Sequence, residues 1–188
     1  MDQVEMNMEL RKVTEDFPDM DRLDELALEA FPPEEYLAPK KILELTRKSE
    51  LDFWGVYDND RFVGFCVIAR HHSMAYLFFL AITAEHRSKG YGSAILSLLS
   101  ETYKSSQLTV DFEMVDKNAP NYGQRVRRKA FYMKNGFSET GLFLTYFGVS
   151  YEVLCKNKDF DIQMFKEMLL HLPIEGFNPV FFTRQVHL

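Results

Sequence analysis

Leu80-Ala81-Ile82-Thr83-Ala84-Glu85-His86-Arg87-Ser88-Lys89-Gly90-Tyr91-Gly92-Ser93 is the stretch on which the fold turns. It opens on the end of an apolar run, Ala75 to Ile82, with no polar alternation after Tyr76, which reads as a strand covered on both faces. A short polar loop with two glycines follows, and then Ala94, Ile95, Leu98 and Leu99 recur at helical spacing. Backbone amides at such a helix start point outward unpaired, and the helix dipole favours an anion there. Gly90 and Gly92 would let the backbone approach a phosphate, and Arg87 and Lys89 add formal charge. The dipole contributes only ~0.3–1 kcal/mol per charge, so tight binding needs several amides acting with the basic residues. The plain alternative is a tight turn whose glycines relieve strain. Rival phosphate loops fail on spacing. A dinucleotide fingerprint needs a third small residue where Ile95 stands, and no Gly-Lys-Ser/Thr opens the helix.

Working outward, Met8 to Val13 alternates as a first strand. Leu23, Leu26, Ala27, Ala30 and Phe31 make a helix stopped by Pro32-Pro33, and a second helix starts near Pro39 and runs through Ile42 and Leu45. Phe53–Tyr57 and Phe62–Ala69 read as a hairpin around Asp58-Asn59-Asp60-Arg61. Beyond the glycine loop, Leu108–Val115 is a strand, and Val126, Ala130 and Phe131 mark a helix ending at Asn135-Gly136. Leu142–Phe147 and Ser150–Leu154 are strands separated by Gly148, and Ile162, Phe165, Leu169 and Leu172 form a closing helix. The apolar tail, Phe177 to Leu188, offers a last strand or a face for a homodimer. The order gives one α/β (α+β) domain over residues 1–188, with the C-terminal helix and tail, 159–188, as an extension.

The net charge of −6 argues against a nucleic-acid partner, because such binding rests on Lys and Arg neutralising phosphates. Asp2, Glu5, Glu9, Glu15, Asp16 and Asp19 leave the first twenty residues without the apolar core of a signal peptide. No apolar run approaches the ~20 residues that span a bilayer. Cys66 and Cys155 each lie in a strand-like run and read as buried thiols in a reducing compartment. A cytoplasmic protein without a membrane partner is expected.

Two segments resemble the GNAT (N-acetyltransferase) superfamily. Arg87-Ser88-Lys89-Gly90-Tyr91-Gly92 is similar to its Arg/Gln-x-x-Gly-x-Gly/Ala pyrophosphate signature, preceded by Leu80-Ala81-Ile82. Phe131-Tyr132-Met133-Lys134-Asn135-Gly136-Phe137 is similar to its aromatic-Tyr-x-x-x-Gly-Phe segment, and the element order matches from Met8 to Leu154. One departure is Arg125-Val126-Arg127-Arg128, where many members carry Asn-x-x-Ala. The resemblance implies a single mixed, mostly antiparallel sheet flanked by helices, with acetyl-CoA as cofactor. It implies transfer of acetyl to a primary amine, on a small molecule or a peptide, by direct attack in a ternary complex. It further implies that Leu80, Ala81 and Ile82 pair with pantetheine and meet the oxyanion, and that Arg87 to Ser93 hold pyrophosphate. Tyr132 would be the general acid to the leaving thiolate and would touch the cofactor. The alternative is a CoA-binding sensor or interaction protein without transfer activity.

The chemistry asks for more. A lysine-like amine of pKa ~10.4 costs ~4–5 kcal/mol to deprotonate at neutral pH, so a base or a desolvating pocket is needed. Asp111 and Glu113 share one face of the strand Leu108–Val115, with Val110, Phe112 and Met114 on the other. An interior carboxylate is costly unless paired or used, which makes Glu113 the first base candidate and a structural ion pair the equal alternative. Among the basic residues 125–134, Arg125 or Arg128 is expected on CoA phosphate. Phe31, Tyr36, Phe143 and Tyr146 are expected at the acceptor, with Glu85 or Glu152 attracting a cation. No histidine has a partner at metal-ligand spacing, so no metal is expected, and His86 reads as exposed.

Overall fold

The computed structural model describes residues 6–33, 35–156 and 159–183. The strands are β1 (Met8–Lys12), β2 (Leu51–Asp58), β3 (Arg61–His71), β4 (Met74–Ile82), β5 (Gln107–Glu113), β6 (Ser138–Tyr146), β7 (Val149–Cys155) and β8 (Val180–Thr183). The helices are α1 (Met20–Ala30), α2 (Pro39–Thr46), α3 (Tyr91–Thr102), α4 (Tyr122–Lys134) and α5 (Ile162–Leu170). Strand order is β1-β2-β3-β4-β5-β7-β6-β8. β4 and β5 pair in parallel, and β1–β2, β2–β3, β5–β7, β6–β7 and β6–β8 are antiparallel, the expected mixed sheet. The chain resolves into two compact units: one takes the chain up to Ala69 together with Phe78–Lys104, and the other takes Arg70–Leu77 and the chain from Ser105.

In the first unit the helices form where the sequence places them. Leu23, Leu26 and Ala27 bury one stripe of α1, and Pro39 opens α2, whose Ile42 and Leu45 are buried. Phe53, Val56, Tyr57, Phe62 and Phe65 supply the core of the β2–β3 hairpin. α3 is rotated from the expected face: Tyr91, Ile95, Leu96 and Leu99 are buried, whereas Ala94 and Leu98 are half-buried. β4 also differs from a strand covered on both faces. Phe79 and Ala81 are buried while Phe78, Leu80 and Ile82 are only half-buried, so one face lies partly open.

Two glycines in this unit mark close approaches. A Cβ on Gly55 would lie 2.3 Å from Phe17 Cζ, a ring that can turn aside. A Cβ on Gly64 would lie 2.1 Å from the Ala81 carbonyl oxygen and 3.1 Å from Ile82 Cα, backbone that cannot. Gly64→Ala is therefore expected to displace the end of β4 and destabilise by ~1–3 kcal/mol. Thermal denaturation would show Tm falling by about 2–4 °C for each kcal/mol. An unchanged Tm would mean that β4 yields without cost.

In the second unit Val110 and Phe112 of β5 are buried and Asp111 and Glu113 half-buried, the expected division of faces. Phe165 of α5 is fully buried, edge-on to Tyr76 at 5.5 Å, so the closing helix is part of this core. Its start is capped by Asp161, which accepts from Met164 N at 2.9 Å. β8 pairs with β6 from Leu142↔Thr183 to Thr145↔Val180, and residues 184–188 of the tail lie outside the described residues. β6 begins at Ser138, before the expected Leu142. Its first residues are polar but pair with Cys155 and Leu154, and the register then shifts ahead of Phe143, with Gly141 at φ +74°. α4 departs further: Val126 and Ala130 are exposed, and only Tyr132 of the helix is buried. Arg125 and Lys129 turn inward because carboxylates of this unit receive them. Cys66 and Cys155 are buried and not joined in a disulfide, and burial pushes the Cys66 thiol up. No helix among the described residues is long and apolar enough to cross a membrane.

Candidate active site

The glycine loop of the first unit is braced at both ends. Where β4 stops, Thr83 N donates to Val63 O at 2.9 Å. A single turn of 3-10 helix, Ala84–His86, follows. Its Thr83 Oγ1 lies 2.6 Å from His86 Nδ1. His86 is thus buried, not exposed, because this contact and the ring of Tyr91, 4.8 Å away between centroids, turn it inward. Arg87 Nε donates to Ile82 O at 2.8 Å, and its guanidinium pairs with Glu29 of α1 at 2.8 Å. The arginine therefore clamps the loop to its own strand and to α1, and its charge stays beside the loop. Ser88 at φ +60° and Gly90 at φ +91° turn the chain into α3.

Gly90 is the N-cap of α3 in the left-handed conformation, with no side-chain cap, and its carbonyl accepts from Ala94 N at 3.1 Å. The first amides of α3 therefore receive no capping side chain from Gly90. A Cβ on Gly90 would make ordinary van der Waals contact with Met6 Cε at 3.5 Å, so no neighbouring atom crowds the backbone here. Lys89, exposed, completes the rim. An uncapped helix start, glycine backbone and adjacent Arg87 and Lys89 fit a diphosphate.

The second unit holds the other expected residues. The Glu113 carboxylate accepts from Asn121 Nδ2 at 3.2 and 3.0 Å and from Arg125 at 2.9 Å, with Arg128 at 3.5 Å. Arg125 also donates to Asn121 Oδ1 at 2.7 Å and to Met114 O at 2.8 Å. This network ties the start of α4 to the end of β5, and it uses the donors of Arg125 that were expected on phosphate. Lys129 bonds Glu152 at 2.8 and 3.1 Å and also Glu139, so the buried Glu152 is paired instead of attracting a free cation. Desolvation works against the Lys129 ammonium, but these two carboxylates outweigh it and hold its pKa above the ordinary value.

Tyr132 is buried among Phe112, Phe131 and Phe137, with ring centroids 6.0, 5.2 and 5.6 Å away. No described residue bonds its hydroxyl. Burial, with a smaller push from Asp111, raises its pKa to about 12 against the opposing charge of Arg128. Asp111 itself was passed over in the sequence. Its Oδ2 accepts from the Tyr146 hydroxyl at 3.0 Å, and Tyr146 stacks on Tyr151 at 4.1 Å, with Phe177 4.9 Å away. Burial and Asp111 together drive the Tyr146 pKa well up. The only signal in the sequence was alternation with Glu113.

Residues 49–139, just under half of the chain, match the family model described as Acetyltransferase (GNAT) domain. A GNAT-family acetyltransferase from Bacteroides thetaiotaomicron superposes with TM-score 0.69 at 24% identity, over 85% of this chain and 92% of that one. The PaiA N-acetyltransferase from Thermoplasma acidophilum, solved with coenzyme A, gives 0.56 at 19% identity, over 79% and 98%. The ribosomal-protein-S18-alanine N-acetyltransferase from Escherichia coli gives 0.57 at 15%, over 82% and 99%. No curated protein matches the sequence. These likenesses show that the chain has the fold of GNAT-family acetyltransferases. The residues matched to the family model include both motifs, Arg87–Gly92 and Phe131–Phe137.

Proposed function

We propose that the protein transfers acetyl from acetyl-CoA to a primary amine, by direct attack with both substrates bound. The observation that carries this reading is the start of α3, where left-handed Gly90 leaves the helix without a side-chain cap directly after β4. In this reading the amides of Gly90 to Ser93 hold the pyrophosphate, Arg87 braces the loop, and Ser88 and Lys89 line it. The half-buried face at Leu80 and Ile82, with Ala81 between them, receives pantetheine. Acetyl-CoA supplies a thioester carbonyl open to attack. Tyr132 donates a proton to the leaving sulfur.

Glu113 takes the structural alternative: with its oxygens committed to Asn121, Arg125 and Arg128, it anchors α4 and does not act as the base. Arg125 shares that duty. Arg128 is half-exposed and only loosely paired with Glu113, at 3.5 Å, which leaves it as the arginine of the expected pair for a CoA phosphate. Structural neighbours named for spermidine, aminoglycoside and ribosomal-protein acceptors support an amine acceptor and leave its kind open. The protein would work in the cytoplasm.

A thermal-shift titration with acetyl-CoA, CoA, NAD and ATP in parallel tests the cofactor. A ligand at 100 times its Kd stabilises by ~2.7 kcal/mol, and only the two CoA species are expected to do so. Release of free thiol with a panel of amines then separates a transferase from a CoA sensor. No stabilisation of the folded protein by CoA would reduce the loop to a structural turn.

A further inference from the structure

The hairpin turn Asp58-Asn59-Asp60 reads in the sequence only as a turn, but the structure buries its first residue. Asp58 is 1% exposed, a costly place for a carboxylate without partners. Its Oδ2 accepts from the Tyr91 hydroxyl at 2.7 Å and from Arg61 at 3.3 Å. Its Oδ1 accepts from Asn7 N at 3.0 Å and from Asn59 Nδ2 at 3.1 Å. Tyr91 is the residue between the two loop glycines and the first residue of α3. It is buried, and the edge of its ring meets His86.

We propose that Asp58 is a positioning residue for the cofactor loop: its carboxylate, through the Tyr91 hydroxyl, fixes where α3 begins and hence where the phosphate-binding amides point. The proposal rests on the reading of Arg87–Ser93 as a pyrophosphate cradle. A cradle built from backbone amides has no side chain to readjust, so its affinity depends on the chain being held in place before the ligand arrives. Ser88 and Gly90 both sit at positive φ, so the loop needs outside support on each flank. Arg87 provides it on the β4 side, through Ile82 and Glu29. Tyr91 provides it on the α3 side, through Asp58. The hydrogen bond is charge-assisted: it is the first cause holding the Asp58 carboxyl below its ordinary value, with the Asn7 amide and Arg61 adding to it against desolvation. The same bond, with burial adding to it, raises the Tyr91 hydroxyl above its ordinary value.

The test uses two isosteric variants, Tyr91→Phe and Asp58→Asn, and their double, with CoA affinity measured by calorimetry and acetyl transfer by thiol release. Tyr91→Phe is expected to raise the Kd for CoA about tenfold. Asp58→Asn keeps an acceptor for the hydroxyl but loses the charge, so its loss is smaller. The double variant should match Tyr91→Phe alone, since the partner is already gone. The KM for acetyl-CoA should rise in step while kcat at saturation holds. A role confined to stability would instead lower Tm and leave the Kd of the folded protein unmoved. Unchanged CoA affinity in Tyr91→Phe, or additive losses in the double, overturns the positioning role alone. Failure of the unmutated protein to bind CoA overturns the cradle, and this proposal with it.

Discussion

Gly90→Glu is expected to abolish coenzyme A binding and to leave the chain folded. Gly90 sits at φ +91° and ψ −12°, a left-handed conformation that costs an ordinary residue roughly 1–2 kcal/mol. That cost alone would weaken the loop without destroying it. The nearest atom to an added Cβ is Met6 Cε at 3.5 Å, ordinary van der Waals contact, so the fold has room for the side chain. What the fold tolerates the ligand should not. A glutamate carboxylate here would lie against the amides of α3 that Gly90 leaves without a side-chain cap, and the helix start would favour it as it favours phosphate. The variant carries its own competing anion, and a second one meets repulsion as well as an occupied site. Loss of two orders of magnitude or more in affinity, ~2.7 kcal/mol or more, is the expected result by calorimetry. Gly90→Ala separates the two causes, since it keeps the strain and omits the charge. If Gly90→Glu bound CoA like the unmutated protein, the cradle would have to be sought elsewhere.

The sequence was most legible where one physical requirement picks out one residue type. Gly90 and Gly136 fall at positive φ, where a side chain is strained, and both ends of this reasoning are visible in a string of letters. Strands of the interior announced themselves through apolar runs, and the order of elements followed. The partners of charged residues were not legible. Glu113 offers the same letters whether it takes a proton or holds a helix. Only the structure shows Asn121, eight residues on, and Arg125, twelve residues on, closing around it. The same holds for Glu152, whose partner Lys129 lies 23 residues earlier. Such pairs also explain the misjudged face of α4. Periodicity counts apolar residues, and this helix turns Arg125 and Lys129 inward, where Val126 and Ala130 were expected. Asp58 was hidden for a different reason. Turn chemistry alone accounts for an aspartate in a hairpin, and its partner Tyr91 is 33 residues away.

Tyr132→Phe is expected to lower kcat while leaving acetyl-CoA affinity and stability near those of the unmutated protein. The ring packs among Phe112, Phe131 and Phe137, and phenylalanine keeps that packing. No described residue bonds the hydroxyl, so the fold loses no hydrogen bond when it is removed. An effect on turnover would therefore belong to the chemistry. Its size can be bounded. General acids contribute about 10²–10⁴-fold. Burial pushes the Tyr132 pKa up to about 12, with Arg128 pulling the other way. A cysteine-like thiol has a pKa of ~8.5, so full transfer to the free thiolate is uphill by roughly 3–4 units. The proton must move as the carbon–sulfur bond breaks, and the contribution should fall near 10², the lower end. The raised value also fixes the pH dependence. A group whose pKa rises from 10 to about 12 keeps its proton over the interval in which ordinary tyrosines lose theirs. The kcat profile should then show no descending limb near pH 10 from this residue. Single-turnover thiol release under saturating acetyl-CoA, compared between the two proteins from pH 7 to about 10, measures both points. Full activity of Tyr132→Phe would remove the acid role and leave water, or the substrate amine itself, to protonate the sulfur.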